Sequence, residues 1–94
     1  MDVTFNGYNC FIKKSHYPNH NVRLVAYDKE DGCPVATITS NVMKMEQGEI
    51  VVKNYAENEG IYEALVEAKI ISPAHDILKS GFVELQVCYL EPDL

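Results

Sequence analysis

Apolar and polar residues alternate along most of this chain, and only one long segment departs from that period of two. Alternation is typical of half-buried β-strands, because successive side chains of a strand point to opposite faces of the sheet. The last run is the most regular. One of its faces is expected in the core, with Val83, Leu85, Val87 and Tyr89, and the other in water, with Glu84 and Gln86. The pattern predicts strands at residues 8–17, 22–28, 35–41, 49–55 and 82–90.

Turn-forming residues separate the first three predicted strands. Residues 18–21, PNHN, contain the proline and asparagines that favour tight turns. Residues 28–32, DKEDG, end in a glycine, which suits a type I turn closed by a glycine bulge. Residues 8–41 are therefore predicted to form an antiparallel three-stranded meander.

The segment that departs from alternation is residues 54–73, NYAENEGIYEALVEAKIISP. Its apolar residues recur at the spacing of one helix face. They are Ile61, Ala64, Leu65 and Ala68. Pro73 ends the helical run, because the residue before a proline avoids the α region. We expect a helix over residues 57–69, followed by a loop or a single helical turn over residues 74–81.

The start of this helix has two candidate positions. Asn54 and Glu57 have the spacing of a capping box, in which the asparagine accepts a hydrogen bond from an unpaired backbone amide. Gly60 is the alternative starting point, since a glycine inside a helix costs about 1 kcal/mol relative to alanine.

The predicted order is four strands, one helix and a last strand. A single helix must bury its apolar stripe on one face of the sheet. The expected fold is therefore α+β, a two-layer sandwich in which one helix packs on one face of an antiparallel sheet of about five strands. One domain is expected over residues 1–94, and the direction of the last strand stays open. An unpaired edge strand, expected in the hairpin, could also join two copies into a homodimer.

Charge is distributed unevenly along the chain. Residues 1–44 carry five basic and four acidic residues, whereas residues 45–94 carry three basic and ten acidic ones, for a net charge of −6 overall. Phosphate contact needs clustered lysine and arginine, so direct binding to nucleic acid is not expected. An acidic half favours a basic protein surface as partner, or serves solubility alone.

Cysteine usage and the absence of apolar runs point to a cytoplasmic protein. Three cysteines, at Cys10, Cys33 and Cys88, are an odd number without a close pair, which fits a reducing compartment. The first residues lack the basic start and apolar run of a signal peptide. No stretch approaches the roughly 18 apolar residues of a membrane span, so no membrane partner is expected.

No pattern of nucleophile or metal ligands supports catalysis. A cysteine nucleophile needs a pKa lowered by a cation or a helix N-terminus, whereas Cys33 follows two acidic residues. A zinc site would use Cys10, His16 and His20, with or without Cys33. Their spacing fits no common zinc module, and Pro18 keeps a helix from presenting both histidines. We expect no enzymatic activity, no metal and no cofactor.

The outer face of the predicted helix is its most distinctive chemical feature. Glu59, Glu63 and Glu67 recur every four residues on this face. Like charges four residues apart destabilise a helix by a few tenths of a kcal/mol per pair. Such a face either keeps the protein soluble or contacts a cationic partner. A neighbouring tyrosine would add contact area at low entropic cost. The candidate partner-binding residues are Glu57, Glu59, Tyr62, Glu63 and Glu67.

Four short motifs cover most of the chain. The pattern Y-x-K-E-D-G-x-P-x-A begins at Tyr27, and N-Y-x-E-N-E-G followed by an aliphatic residue begins at Asn54. The pattern E-A-L-V-E-A begins at Glu63, and G-F-V-x-x-x-V-C-x-L begins at Gly81. With these motifs the chain resembles a family of short uncharacterised proteins from mobile elements and phages of gut Firmicutes and Bacteroidetes. The resemblance implies a mobile-element origin, but it carries over no catalytic residues.

Mobile elements encode many small acidic proteins that block host defence, so the resemblance implies an inhibitor. The expected function is non-enzymatic inhibition of a host defence system, of the anti-CRISPR or anti-restriction type. The expected target is the basic surface of a nucleic-acid-handling defence enzyme. The alternative is an accessory or structural module of a mobile element with no inhibitory role.

Overall fold

The computed structural model describes residues 2–55 and 58–91. These residues form seven strands and one α-helix. In chain order the elements are β1 (Asp2–Phe5), β2 (Tyr8–His16), β3 (Val22–Asp28), β4 (Pro34–Thr37), β5 (Glu49–Val52), α1 (Ile61–Glu67), β6 (Asp76–Ser80) and β7 (Val83–Tyr89).

The strands form two sheets in which every neighbouring pair is antiparallel. One sheet has the order β1-β2-β3-β4 and the other has the order β5-β7-β6. The sheets meet at an isolated bridge between Thr39 and Val52. Segment 38–40 lies between them: the Ile38 amide donates to the Leu24 carbonyl, and the Ser40 amide donates to the Val51 carbonyl. Segment 38–40 therefore connects the two sheets through antiparallel contacts on both of its sides.

The main core lies between α1 and the inner faces of both sheets. Ile61 and Leu65 of the helix are fully buried there. Burying each such side chain contributes about 1.5–3 kcal/mol. The sheet residues of this core are Val3, Phe5, Cys10, Ile12, Leu24, Ala26, Ile38, Ile50, Val52, Cys88 and Leu90.

The helix is short because its sequence fixes both ends. At the start, Asn54 Oδ1 accepts hydrogen bonds from the amides of Gly60 (2.9 Å) and Tyr62 (3.1 Å), while Gly60 takes φ 96°. At the end, Lys69 takes φ 62°, and the amides of Lys69 and Ile70 bond back to the carbonyls of Val66 and Leu65. That pair of bonds is a Schellman motif, which stops the helix.

The predicted α+β class, with one helix and antiparallel strands, is confirmed within the described residues. The predicted single sheet of about five strands is wrong, because seven strands form two sheets. The helix begins after Gly60, as the alternative start predicted, and ends at Glu67 instead of Lys69. Residues 74–81 were expected to be a loop or helical turn, whereas most of them form β6.

The strict alternation predicted for the last strand is only partly correct. Leu85 and Val87 are buried as expected, but Tyr89 is half exposed, and Cys88 and Leu90 are buried. Val87 and Cys88 are consecutive, so both faces of β7 are covered at that point. Within the described residues, no helix is long and apolar enough to cross a membrane.

Candidate functional site

The candidate site is the acidic surface, defined here as Glu59, Glu63 and Glu67. All three residues are exposed. Glu63 and Glu67 lie one turn apart on α1, which places their Cβ atoms about 6 Å from each other. Glu59 precedes the helix, in the turn that ends at Gly60. Glu57, the fourth predicted carboxylate, lies outside the described residues.

In the part of the chain that the structure describes, no lysine or arginine is paired with the carboxylates of the acidic surface. Within residues 2–55 and 58–91, the only ion pairs closer than 4.0 Å are Asp2 with Lys29 and Glu49 with His75. Glu63 Oε1 accepts a hydrogen bond from Asn54 Nδ2 at 3.3 Å, which orients the carboxylate without changing its charge. The acidic surface therefore presents uncompensated negative charge to solvent.

Tyr62 occupies a different position from its predicted partners. Its side chain is half-buried and packs against the main core. Its hydroxyl accepts a hydrogen bond from the Ala74 amide at 2.9 Å, which ties the segment after the helix back to α1. The structure thus brings Glu63 and Glu67 together on the solvent side, while the Tyr62 hydroxyl is engaged within the molecule.

A cleft of about 580 Å³ lies beside the acidic surface, between α1 and the hairpin formed by β1 and β2. Glu67 and Ala64 line its helix side, and Asp2, Lys29 and Glu30 line the other. Lys29 Nζ lies 2.7 Å from Asp2 Oδ2, and this hydrogen bond and the lysine charge lower the pKa of Asp2. Because Lys29 is paired with Asp2, the charges of Glu30 and Glu67 dominate the rest of the cleft.

The three thiols are free and held in the protonated form. The charge of Asp31 and a hydrogen bond to it raise the pKa of the exposed Cys33 thiol. Burial raises the pKa of Cys10 and raises that of Cys88 to about 11. A thiolate nucleophile needs the opposite shift, so none of these environments activates a cysteine.

The structure separates the three residues that a zinc site would need. Cys10 is buried near the start of β2, and His16 is the last residue of the same strand. Because an extended chain rises about 3.3 Å per residue, the two residues lie about 20 Å apart. His16 and His20 share a second cleft, of about 660 Å³, with Lys14 and Lys44. Among the described residues, no group of three histidine, cysteine or acidic side chains is placed to hold a metal ion.

Two polar arrangements were not predicted from the sequence. His75 Nε2 lies 2.7 Å from Glu49 Oε2, and the His75 ring stacks on Tyr89 with centroids 4.2 Å apart. The buried Asn21 side chain bonds to Asn41, Met43 and Met45 and thereby fixes the loop before β5. Both join residues 14 or more positions apart, so local spacing carries no signal for them.

Comparison with protein-family models, with curated proteins and with solved structures gives no match. The features of this molecule that bear on function are therefore the acidic surface, the adjoining cleft and the charge of the chain.

Proposed function

We propose that this protein is a non-enzymatic inhibitor that binds, in the cytoplasm, a basic surface of a host defence enzyme. The supporting observation is the exposed pair Glu63 and Glu67, without a lysine or arginine within 4.0 Å among the described residues. Surface carboxylates without internal partners keep their full attraction for an external cation. The acidic surface is the proposed contact, and Glu57 adds to it as a candidate from the sequence.

The class of partner follows from the sign and density of this charge. Enzymes that hold nucleic acid do so with grooves rich in lysine and arginine. A row of carboxylates can occupy such a groove in place of phosphates, and complementary potentials also speed the encounter. The cleft beside Glu67 would then receive cationic side chains that project from the groove.

Charge reversal tests the proposed contact. Replacing Glu59, Glu63 and Glu67 together by lysine should abolish capture of the partner from a host lysate, because three attractions become repulsions. The matched control reverses an equal number of exposed glutamates elsewhere, at Glu46, Glu84 and Glu91. Both variants change the net charge by the same amount, so only a local contact separates them. Equal capture by the two variants would contradict the proposal.

Salt dependence gives a second test of the same contact. Exposed charges are screened beyond about 8 Å at physiological ionic strength. Capture by the unmodified protein should therefore weaken steeply as salt is raised, and capture that does not respond to salt would contradict a contact made by these charges.

Inhibition itself needs a challenge in cells. Host cells that express the protein should admit a phage or plasmid that their defence system otherwise excludes, and cells that express the lysine variant should not. Normal exclusion in both cases, with partner capture intact, would favour an accessory module of a mobile element over an inhibitor.

A further inference from the structure

Strands β6 and β1 are both edge strands, but their surroundings differ. Among the described strands, β6 pairs only with β7, whereas β1 at the opposite edge faces α1 across the cleft described above. Most of β6 is exposed, including Ile77 at 44% and Lys79. An exposed edge with apolar residues is a template for pairing with another strand.

The turn between β6 and β7 determines which backbone groups of β6 point away from the sheet. Two residues form it: Gly81 with φ 63°, and Phe82, which does not have a positive φ. That combination is a type II′ turn, and the residues flanking a two-residue turn form a hydrogen-bonded pair. Ser80, Leu78 and Asp76 therefore bond to β7, while the amides and carbonyls of Ile77 and Lys79 point outwards.

A side-chain contact supports this assignment. The Ile77 amide donates to Asp76 Oδ1 at 2.8 Å, a bond that an amide engaged with β7 would not make. The described residues give the Lys79 amide no backbone partner outside the β6–β7 ladder. The outward edge of β6 thus offers two donors and two acceptors.

We propose that β6 pairs antiparallel with β6 of a second copy of this chain. When a sheet continues across a two-fold axis, the outward-pointing backbone amides and carbonyls of one edge strand must bond to those of the other. The paired side chains then lie on the same face of the sheet. Pairing Ile77 with Lys79 of the second copy uses all four outward groups of each strand. Leu78 then lies opposite Leu78 of the second copy.

The other two registers are less favourable. Lys79 opposite Lys79 would place two like charges together. Ile77 opposite Ile77 would leave Lys79 facing His75, whose amide already donates to the Val87 carbonyl at 3.0 Å. Only the register centred on Leu78 avoids both problems, and it also places Asp76 opposite the uncharged Ser80.

The dimer should be weak and dependent on concentration. Five residues per strand make a small contact, and interfaces below about 1,200 Å² are typical of transient complexes. The Asp76 carboxylate must also release the Ile77 amide before that amide can bond to the second copy. Self-association is therefore expected only at high protein concentration, and the fraction of dimer should rise as the protein is concentrated.

Analytical ultracentrifugation with two substitutions at one position tests the pairing. Lys79→Pro deletes an outward donor but no bond to β7, which an edge strand tolerates. Lys79→Ala is the matched control that keeps the amide. We expect the unmodified protein and Lys79→Ala to shift from 10.6 kDa towards twice that mass, and Lys79→Pro to stay monomeric. A monomeric unmodified protein, or unchanged dimerisation of folded Lys79→Pro, would overturn the proposal.

Disulfide crosslinking tests the register independently of stability. In a Cys33→Ser background, Leu78→Cys should form a dimer on oxidation, because facing residues of a non-hydrogen-bonded pair lie about 4.5 Å apart at Cα. Ser80→Cys is the matched control, since its two copies would lie about 13 Å apart along the strands. Crosslinking of Ser80→Cys but not Leu78→Cys would rule out this register.

Discussion

At the scale of single residues, the structure shows contacts and environments of side chains that the sequence identified only as residue types. Tyr62 shows this: the sequence predicted a contact tyrosine beside the glutamates, and its hydroxyl bonds to the Ala74 amide. Cys33 is a second example, since its thiol is exposed and its pKa is raised by Asp31. Each assignment makes a separate prediction.

Tyr62→Phe separates a structural role of this tyrosine from a binding role. The substitution removes the acceptor for the Ala74 amide and keeps the ring in the core, so it should lower the free energy of unfolding by about 1 kcal/mol. Urea denaturation measures that change, and partner capture should stay as in the unmodified protein. A loss of capture without a loss of stability would instead place the hydroxyl at the interface.

The Cys33 thiol should become more reactive when Asp31 loses its charge. The Asp31 carboxylate raises the pKa of this thiol, so Asp31→Asn lowers the pKa and increases the thiolate fraction at any pH below it. Alkylation by iodoacetamide at pH 8 should then be faster than in the unmodified protein. Glu30→Gln is the control, because Glu30 is not among the groups that shift this pKa; an equal acceleration by both variants would refute the assignment.

At the scale of elements, most of what the sequence predicted depended on local pattern. The apolar stripe of Ile61 and Leu65 was enough to predict a helix, and DKEDG was enough to predict the turn between β3 and β4. β1 was missed although Asn6-Gly7, with φ values of 52° and 82°, has the strongest short-range hairpin signal. β6 was missed because a short, mostly exposed edge strand carries little alternation.

The helix ends provide a pair of opposite predictions. Lys69 is a lysine at φ 62°, where a side chain costs about 1–2 kcal/mol, so Lys69→Gly should raise the melting temperature. Gly60 is at φ 96° with open space around its missing Cβ, so Gly60→Ala should lower the melting temperature through backbone strain alone. Thermal unfolding followed by circular dichroism compares them; shifts of the same sign would contradict the backbone argument.

At the scale of the whole molecule, the fold depends on contacts that no local pattern encodes. The candidate acidic surface was predictable because its residues are close in sequence. The cleft beside it was not, since Asp2 lies in β1 and Glu30 lies in the turn between β3 and β4, both distant in sequence from α1. The division into two sheets could not be predicted either. It depends on segment 38–40, whose backbone bonds to Leu24 on one side and to Val51 on the other. Long-range pairing of this kind leaves no period in the sequence.

Thr39 is the residue on which the junction of the two sheets depends most directly. It is 1% exposed, its Oγ1 accepts from the Leu24 amide at 3.2 Å and lies 3.1 Å from the Tyr17 hydroxyl, and its backbone bridges Val52. Thr39→Val keeps the shape but leaves a buried amide unsatisfied, which costs about 1–3 kcal/mol.

The expected result is a lower urea midpoint for Thr39→Val and a near-normal one for Thr39→Ser, which keeps the hydroxyl. Because one core joins α1 to both sheets, the two sheets should still unfold in a single transition in each variant. Tyrosine fluorescence and far-ultraviolet circular dichroism should therefore give the same midpoint. Two separate midpoints in Thr39→Val would mean that this hydroxyl, and not the shared core, couples the sheets.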